Sequence, residues 1–225
     1  MDDNISENAV YQTNLYSVQR DLSKPINIDK KELEQFFGCC MYMSIYGLPS
    51  ARMYWKATTR VPLVADTMSR NRWEQIKLGL HFNDNCNLDP SDKLYKIRPL
   101  LQSLVENFKA VPMNEKLSVD EQIIPFKGKH SLKNYIKNKP KKWGYKASLL
   151  CDSEGIAHNF EMYTGKEVHD LSLPDISVSS NVVLRLASVI PRNKFHKLYF
   201  YNWYQYSIAR RTAEMGNHVH GNHAI

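Results

Sequence analysis

Two neighbouring groups of residues in this chain have the types and spacing for chemistry: a carboxylate pair, Asp120-Glu121, and a run of amines that begins at Lys127. Leu117 and Val119 alternate with Ser118 and Asp120. This period-2 pattern of a half-buried strand turns Leu117 and Val119 to one side and Asp120 to the other. Asp120 is then a carboxylate held on rigid backbone. From residue 126 to 146 there are lysines at 127, 129, 133, 137, 139, 141, 142 and 146 and no Asp or Glu, with Tyr135, Trp143 and Tyr145 interleaved. Amines with rings between them suit phosphate contacts combined with stacking. Those lysines alone exceed the formal net charge of the whole chain, +7, so the remainder is close to neutral and the basicity is a localised patch. The same run also reads as a solvated lysine-rich loop. Its segment Lys137-Asn138-Lys139-Pro140-Lys141-Lys142 has the composition of a nuclear import signal, although inside a folded loop phosphate contact is the favoured reading.

The elements that must position these groups follow from the apolar pattern. Residues 147–151 and 156–163 read as strands joined by Asp152-Ser153-Glu154-Gly155, a turn ending in Gly, which predicts an antiparallel hairpin beside the first strand. Asn181 caps a predicted helix carrying Val182, Val183, Leu186 and Val189 and stopped by Pro191. An aromatic strand over 196–203 and a last helix from Tyr206 or Ser207 to Gly216 complete an α/β order.

Residues 1–28 show no clear period and read as an extended, flexible arm. At Asp29 a helix begins: Asp29 caps it, Glu32 reaches back, and Ile28 and Leu33 occupy the hydrophobic-staple positions. Leu33, Phe36, Phe37, Cys40 and Met43 line one face until Gly47 and Pro49 end it, and a short helical turn after Ser50 carries Tyr54 and Trp55. Ser69 caps a third helix with Trp73, Ile76 and Leu80 inward. Its first turn holds Arg70 and Arg72, which oppose the helix dipole and point to an anionic partner unless they are plain surface arginines. Leu94, Ile97, Leu101, Leu104 and Phe108 mark a fourth helix, with Pro99 implying a kink or a start near Arg98. The expected organisation is an arm (1–28), a helical region (29–113), an α/β domain (114–216) and a tail (217–225). Cysteines 39, 40, 86 and 151 form no C-x-x-C pair, which argues against a disulfide framework and a cysteine zinc site. No run approaches a membrane span, and the acidic, polar start MDDNISENAV lacks the features of a secretory signal.

The wording LSVDEQIIPFKGKHSLKNYIKNKPKKWGYKASLLCDSEG, followed by FEMYTGK, resembles the start of the catalytic domain of piggyBac-type transposases, with its "DE" pair, "FKGR" turn, "KP.K.G.K" strand start and "YTG" strand end. GLPSARMYWKATTRVP through MSRNRWEQIKLGLHFNDN and HKLYFYNWYQYSIARRTAEMG resemble further blocks of the same family. The resemblance implies a partial RNase H-like (DDE transposase) core preceded by the first part of a mainly helical dimerisation and DNA-binding domain. It also implies Mg2+-dependent phosphoryl transfer, in which acidic side chains converge on a metal pair. Asp120 matches the first acidic position and is the expected metal ligand of an incomplete site. The second falls on Tyr201, whose neutral phenol is a poor ligand for a hard cation. The third lies downstream of Ile225. Glu121 should face away from Asp120, Asp152 reads as a turn residue, and Asp170 and Asp175 as loop residues. The tail histidines His218, His220 and His223 read as a frayed end rather than a metal cluster.

The expectation is therefore a truncated, nuclear or cytoplasmic transposase-derived protein. It would bind DNA through Lys127, Lys129, Lys133, Lys137, Lys139, Lys141, Lys142, Arg70 and Arg72, without cleaving DNA and without a bound metal. A homo-oligomer is expected as well. The alternatives are a protein-interaction module or decayed remnant, and a nuclease that borrows ligands from a partner chain.

Overall fold

The computed structural model describes residues 3–137, 139–165, 178–200 and 218–221. The chain divides into two compact units, Met1–Ser103 and Leu104–Ile225, and the division falls ahead of the boundary at 113 expected from the sequence.

The first unit is helical. Its longer helices are α1 (Asp3–Arg20), α2 (Lys30–Tyr46) and α4 (Arg70–Gly79), with a one-turn α3 (Pro62–Ala65) between the last two. The expected arm is thus largely a helix, and α1 buries Ile5, Ser6, Ala9 and Thr13. That stripe recurs every four residues but is small and half polar, so its apolar period is faint. Side-chain hydrogen bonds to loop backbone hold it instead. Asn14 brackets Ile28, donating to its carbonyl and accepting from its N–H, both at 2.9 Å. Thr13 Oγ1 accepts from the His81 N–H, Ser17 Oγ accepts from the Ile26 N–H, and Asn8 donates to the Phe82 carbonyl.

In α2, Asp29 accepts from the Glu32 N–H and Gly47 ends the helix in the left-handed region at φ 72°, as the sequence predicts. Leu33, Phe36, Trp73, Ile76, Tyr54 and Val64 meet in one core. Ser69 caps α4.

The helix carrying Pro99 is α5 (Arg98–Lys109), preceded by a 3-10 turn at Tyr95–Ile97. Pro99 lies in its first turn, where the missing N–H has no intrahelical partner to lose, so the helix starts there rather than kinking.

The second unit is a sheet with described helices against it; near the end of α5, the Phe108 ring meets Phe160 of the sheet edge-on at 5.7 Å. Its strands are β1 (Lys116–Pro125), β2 (Asn134–Tyr135), β3 (Trp143–Asp152), β4 (Ala157–Met162), β5 (Lys197–Phe200) and β6 (His218–Gly221). β3 runs antiparallel to both β1 and β4, while β5 is parallel to β1 and β6 parallel to β5. β2 and β4 both pair with β3, and taken through β4 the order β4-β3-β1-β5-β6, three antiparallel strands followed by two parallel ones, is the RNase H-like arrangement, an α/β fold behind a helical N-terminal unit.

Helix α6 (Val178–Ala187) covers one face. Val183, Leu184 and Leu186 pack on Leu117, Val119, Leu150, Leu198 and Phe200. It starts ahead of Asn181, which is buried inside the helix and is not its cap. The tail read as frayed supplies β6, whose short His-Val-His-Gly sequence carries too little period to announce a strand. The helix expected at 206–216 lies outside the described residues.

Candidate functional site

Asp120 sits where the alternation of β1 predicts. Leu117 and Val119 are buried against α6, and Asp120 faces the other side, its side chain 74% exposed. Its Oδ1 accepts from the N–H of Glu121 at 2.7 Å and lies 3.8 Å from Nζ of Lys139. That ammonium donates to the carbonyl of Glu121 at 2.9 Å, so the basic segment folds back onto the acidic position. Glu121 faces away from Asp120, as expected, and pairs with Lys146 at 2.5 Å.

Asp152 is a structural group rather than a free ligand. Buried at the hairpin turn, it accepts from the N–H groups of Glu154 and Ile156 and from Asn114 Nδ2, and it lies 3.3 Å from His158 Nε2. Burial pushes its carboxyl up, but the Ile156 and Glu154 N–H groups and the His158 ring outweigh that and hold it below the ordinary carboxylate range.

Tyr201, where the resemblance leads one to expect the second acidic position, lies outside the described residues, as do Asp170 and Asp175. The register pairs Val119 with Phe200. Among the described residues no group of three His, Cys, Asp or Glu side chains could hold a metal ion. Among the described residues, one exposed carboxylate beside an ammonium does not fit a Mg2+ pair, which needs converging oxygen ligands.

The basic segment is more ordered than a loop. β2 and the first residues of β3 pair in it, Asn134 with Gly144 and Tyr135 with Trp143, so β3 begins ahead of the expected residue 147. Gly144 is required there, because a Cβ would come within 2.0 Å of the Ile124 carbonyl oxygen on the neighbouring strand. The turn between the strands closes through the N–H of Ile136 on the Lys142 carbonyl at 2.8 Å.

Three of the lysines are taken up by the fold. Lys133 donates to the carbonyls of Gly128 and Lys127 and stands 4.9 Å from the Trp143 ring centroid, and Lys139 and Lys146 are engaged as described above. Lys127, Lys129, Lys137, Lys141 and Lys142 are exposed, and among the described residues no carboxylate lies within ion-pair distance of them. Tyr135 and Trp143, with rings 4.8 Å apart, stay 51% and 53% exposed.

The two arginines of α4 separate as well. Arg70 is exposed and contacts Asn71. Arg72 is spent inside the first unit, where its guanidinium grips Glu32 through two contacts of 2.5 and 2.6 Å and donates to the Ile26 carbonyl. Glu32 therefore turns to Arg72 rather than back to its own helix start. The sequence holds no local signal for this pair, which spans forty positions of chain.

An RNase H-like sheet with a carboxylate on its first strand is the arrangement that the resemblance to transposases leads one to expect. A family model described as Transposase IS4 matches residues 1–218. The chain belongs to this family, as a piggyBac-type transposase domain. It is 30% identical over 227 residues to human PiggyBac transposable element-derived protein 3, covering 98% of this chain and 38% of that protein. It is 33% identical over 159 residues to human PiggyBac transposable element-derived protein 2, covering 69% and 26%. The chain thus spans well under half the length of these relatives. Among solved structures it resembles a piggyBac transposase synaptic complex with hairpin DNA, with a TM-score of 0.82 at 22% identity, covering 96% of this chain and 48% of that one. At that identity the likeness speaks for the fold.

Proposed function

We propose that this piggyBac-type domain binds DNA through the β1–β2 loop and the β2–β3 hairpin and neither cleaves DNA nor transfers strands by itself. The observation that carries the reading is the cluster of five exposed lysines, Lys127, Lys129, Lys137, Lys141 and Lys142, without carboxylate partners among the described residues, beside two exposed rings. Uncompensated amines release the counterions of a phosphate backbone, and that release supplies affinity without sequence preference. The similar solved structure is a complex with hairpin DNA, which supports the same class of partner here. Arg70 is a peripheral contact in this reading, and Arg72 is a scaffold residue. A nuclear location accords with a DNA ligand.

The silent half of the reading rests on Tyr201 at the second acidic position and on the Lys139 ammonium beside Asp120. A divalent ion would have to displace that ammonium and would find a phenol where a carboxylate is needed.

One experiment tests both halves: titrate the protein onto a labelled duplex in Mg2+ at rising salt, reading bound fraction and strand integrity together. Five phosphate contacts give a log-log slope of about −4.5 with intact strands. A flat salt response removes the DNA reading. Nicking that vanishes in Asp120→Ala removes the silent one.

A further inference from the structure

We propose that Tyr135 and Trp143 form a stacking platform for an unpaired base of a DNA strand, so that the hairpin prefers single-stranded or frayed DNA over closed duplex. The inference rests on the DNA-binding reading of the same hairpin and adds the class of DNA it takes.

The two residues are direct cross-strand partners and therefore stand on the same face of the β2–β3 pair. Their rings meet at 4.8 Å with an interplanar angle of 48°, and each keeps about half its surface open. Two adjacent large rings left in water are an apolar surface with a specific π geometry, the kind that a flat partner covers.

The platform is fixed. Lys133, anchored on the carbonyls of Lys127 and Gly128, sits against the Trp143 ring, and the N–H of Ile136 closes the turn on Lys142. Gly144 lets β1 approach closely right behind Trp143. A pair held this way loses little conformational freedom when a base stacks on it.

The exposed lysines Lys137, Lys141 and Lys142 lie in the turn that joins the two strands. Amines and open rings together match a strand whose phosphates and base faces are both accessible. In closed duplex the base faces are occupied by neighbouring base pairs, so only the phosphates remain to be read.

Pleat alternation also puts this platform on the sheet face that carries Asp120. The register pairs Asp120 with Leu149, Gln122 with Ala147 and Ile124 with Tyr145, and Trp143 follows Tyr145 by one full pleat. Helix α6 packs on the opposite face, over Leu117, Val119 and Leu150. From Leu149 to Trp143 is roughly 20 Å along β3, or about six nucleotides of stacked strand.

The test compares four labelled probes bound by the full chain: a blunt duplex, the same duplex with an overhang of about six nucleotides, that overhang with abasic sugars, which keeps every phosphate and removes every base, and that overhang as RNA. Wild-type protein should bind the normal overhang about tenfold more tightly than the abasic one. The double variant Tyr135→Ala/Trp143→Ala should bind the two DNA overhangs equally, with its salt slope unchanged, and Trp143→Phe should keep part of the difference. The probe comparison on wild-type protein needs no variant to fold.

Equal binding of both DNA overhangs by wild type, with salt-dependent duplex binding intact, would overturn the platform and leave the lysine reading standing. A base-dependent difference that survives the double variant would place stacking elsewhere and also overturn it. Base-dependent binding without any duplex binding would uphold the platform and remove the phosphate reading. Tighter binding of an RNA overhang than a DNA one would overturn the assignment to DNA, and no binding to any probe would sink both readings.

Discussion

The start of α4 and the turn between β2 and β3 are both basic in sequence, yet the fold uses them in opposite ways. At α4, Arg72 reaches back to Glu32 and to the Ile26 carbonyl, so its charge is consumed in joining two helices to the chain before them. At the hairpin, Lys137, Lys141 and Lys142 have no such partner among the described residues and face water. The carboxylates divide the same way. Asp152 is buried under four hydrogen-bonding groups, whereas Asp120 is exposed with one loose ammonium beside it. The difference shows that residue type names a candidate, and a partner within reach decides whether it serves the fold or a ligand.

Substitutions should sort along this division, with loss of stability at the committed groups and loss of binding at the open ones. The largest stability effect is expected at Asp152. Asp152→Ala strands the buried N–H groups of Glu154 and Ile156 and the Asn114 amide, which should cost about 3 kcal/mol in denaturant unfolding. The pH dependence follows from its depressed folded-state pKa. Its contribution is fully present above the unfolded value, about pH 4, and is lost as pH falls through the lower folded value. Wild type should therefore lose stability on acidification in a step that Asp152→Ala lacks. An unchanged midpoint and an unchanged acid profile would place Asp152 among the open groups.

Arg72→Ala comes next, at about 2 kcal/mol. It leaves Glu32 uncompensated in a pair whose side chains are 27% and 24% exposed, so solvent screens part of the cost of breaking a fully buried pair. Its DNA affinity per folded molecule should stay at the wild-type level. A normal unfolding midpoint with weakened DNA binding would move Arg72 to the other side of the comparison.

The same division explains what was legible in the sequence. Alternation at Leu117, Val119 and Asp120 gives both β1 and the outward carboxylate, and the Asp29, Ser69 and Gly47 signals mark helix ends, because each of these acts over a few neighbouring residues. Helix α1 is not legible from its apolar period, since Thr13, Asn14 and Ser17 dock it through hydrogen bonds to backbone outside the helix, at His81, Ile28 and Ile26. Strand β6 depends on β5 for its pairing, and a four-residue segment carries too little pattern of its own. At the site, the lysine run is visible as composition. Its split into engaged Lys133, Lys139 and Lys146 and exposed Lys127, Lys129, Lys137, Lys141 and Lys142 depends on a folded-back segment, cross-strand rings and Glu121. No local spacing encodes those contacts.

The most direct test of the central claim is the salt slope of duplex binding measured on two lysine sets of equal size and equal charge change: the open set Lys137→Gln/Lys141→Gln/Lys142→Gln and the engaged set Lys133→Gln/Lys139→Gln/Lys146→Gln. If the exposed amines make the phosphate contacts, the open set flattens the slope by about 3 units and keeps the wild-type unfolding midpoint, while the engaged set lowers the midpoint and leaves the slope of the folded protein close to wild type. Equal flattening by both sets, or flattening by the engaged set alone, would contradict the account.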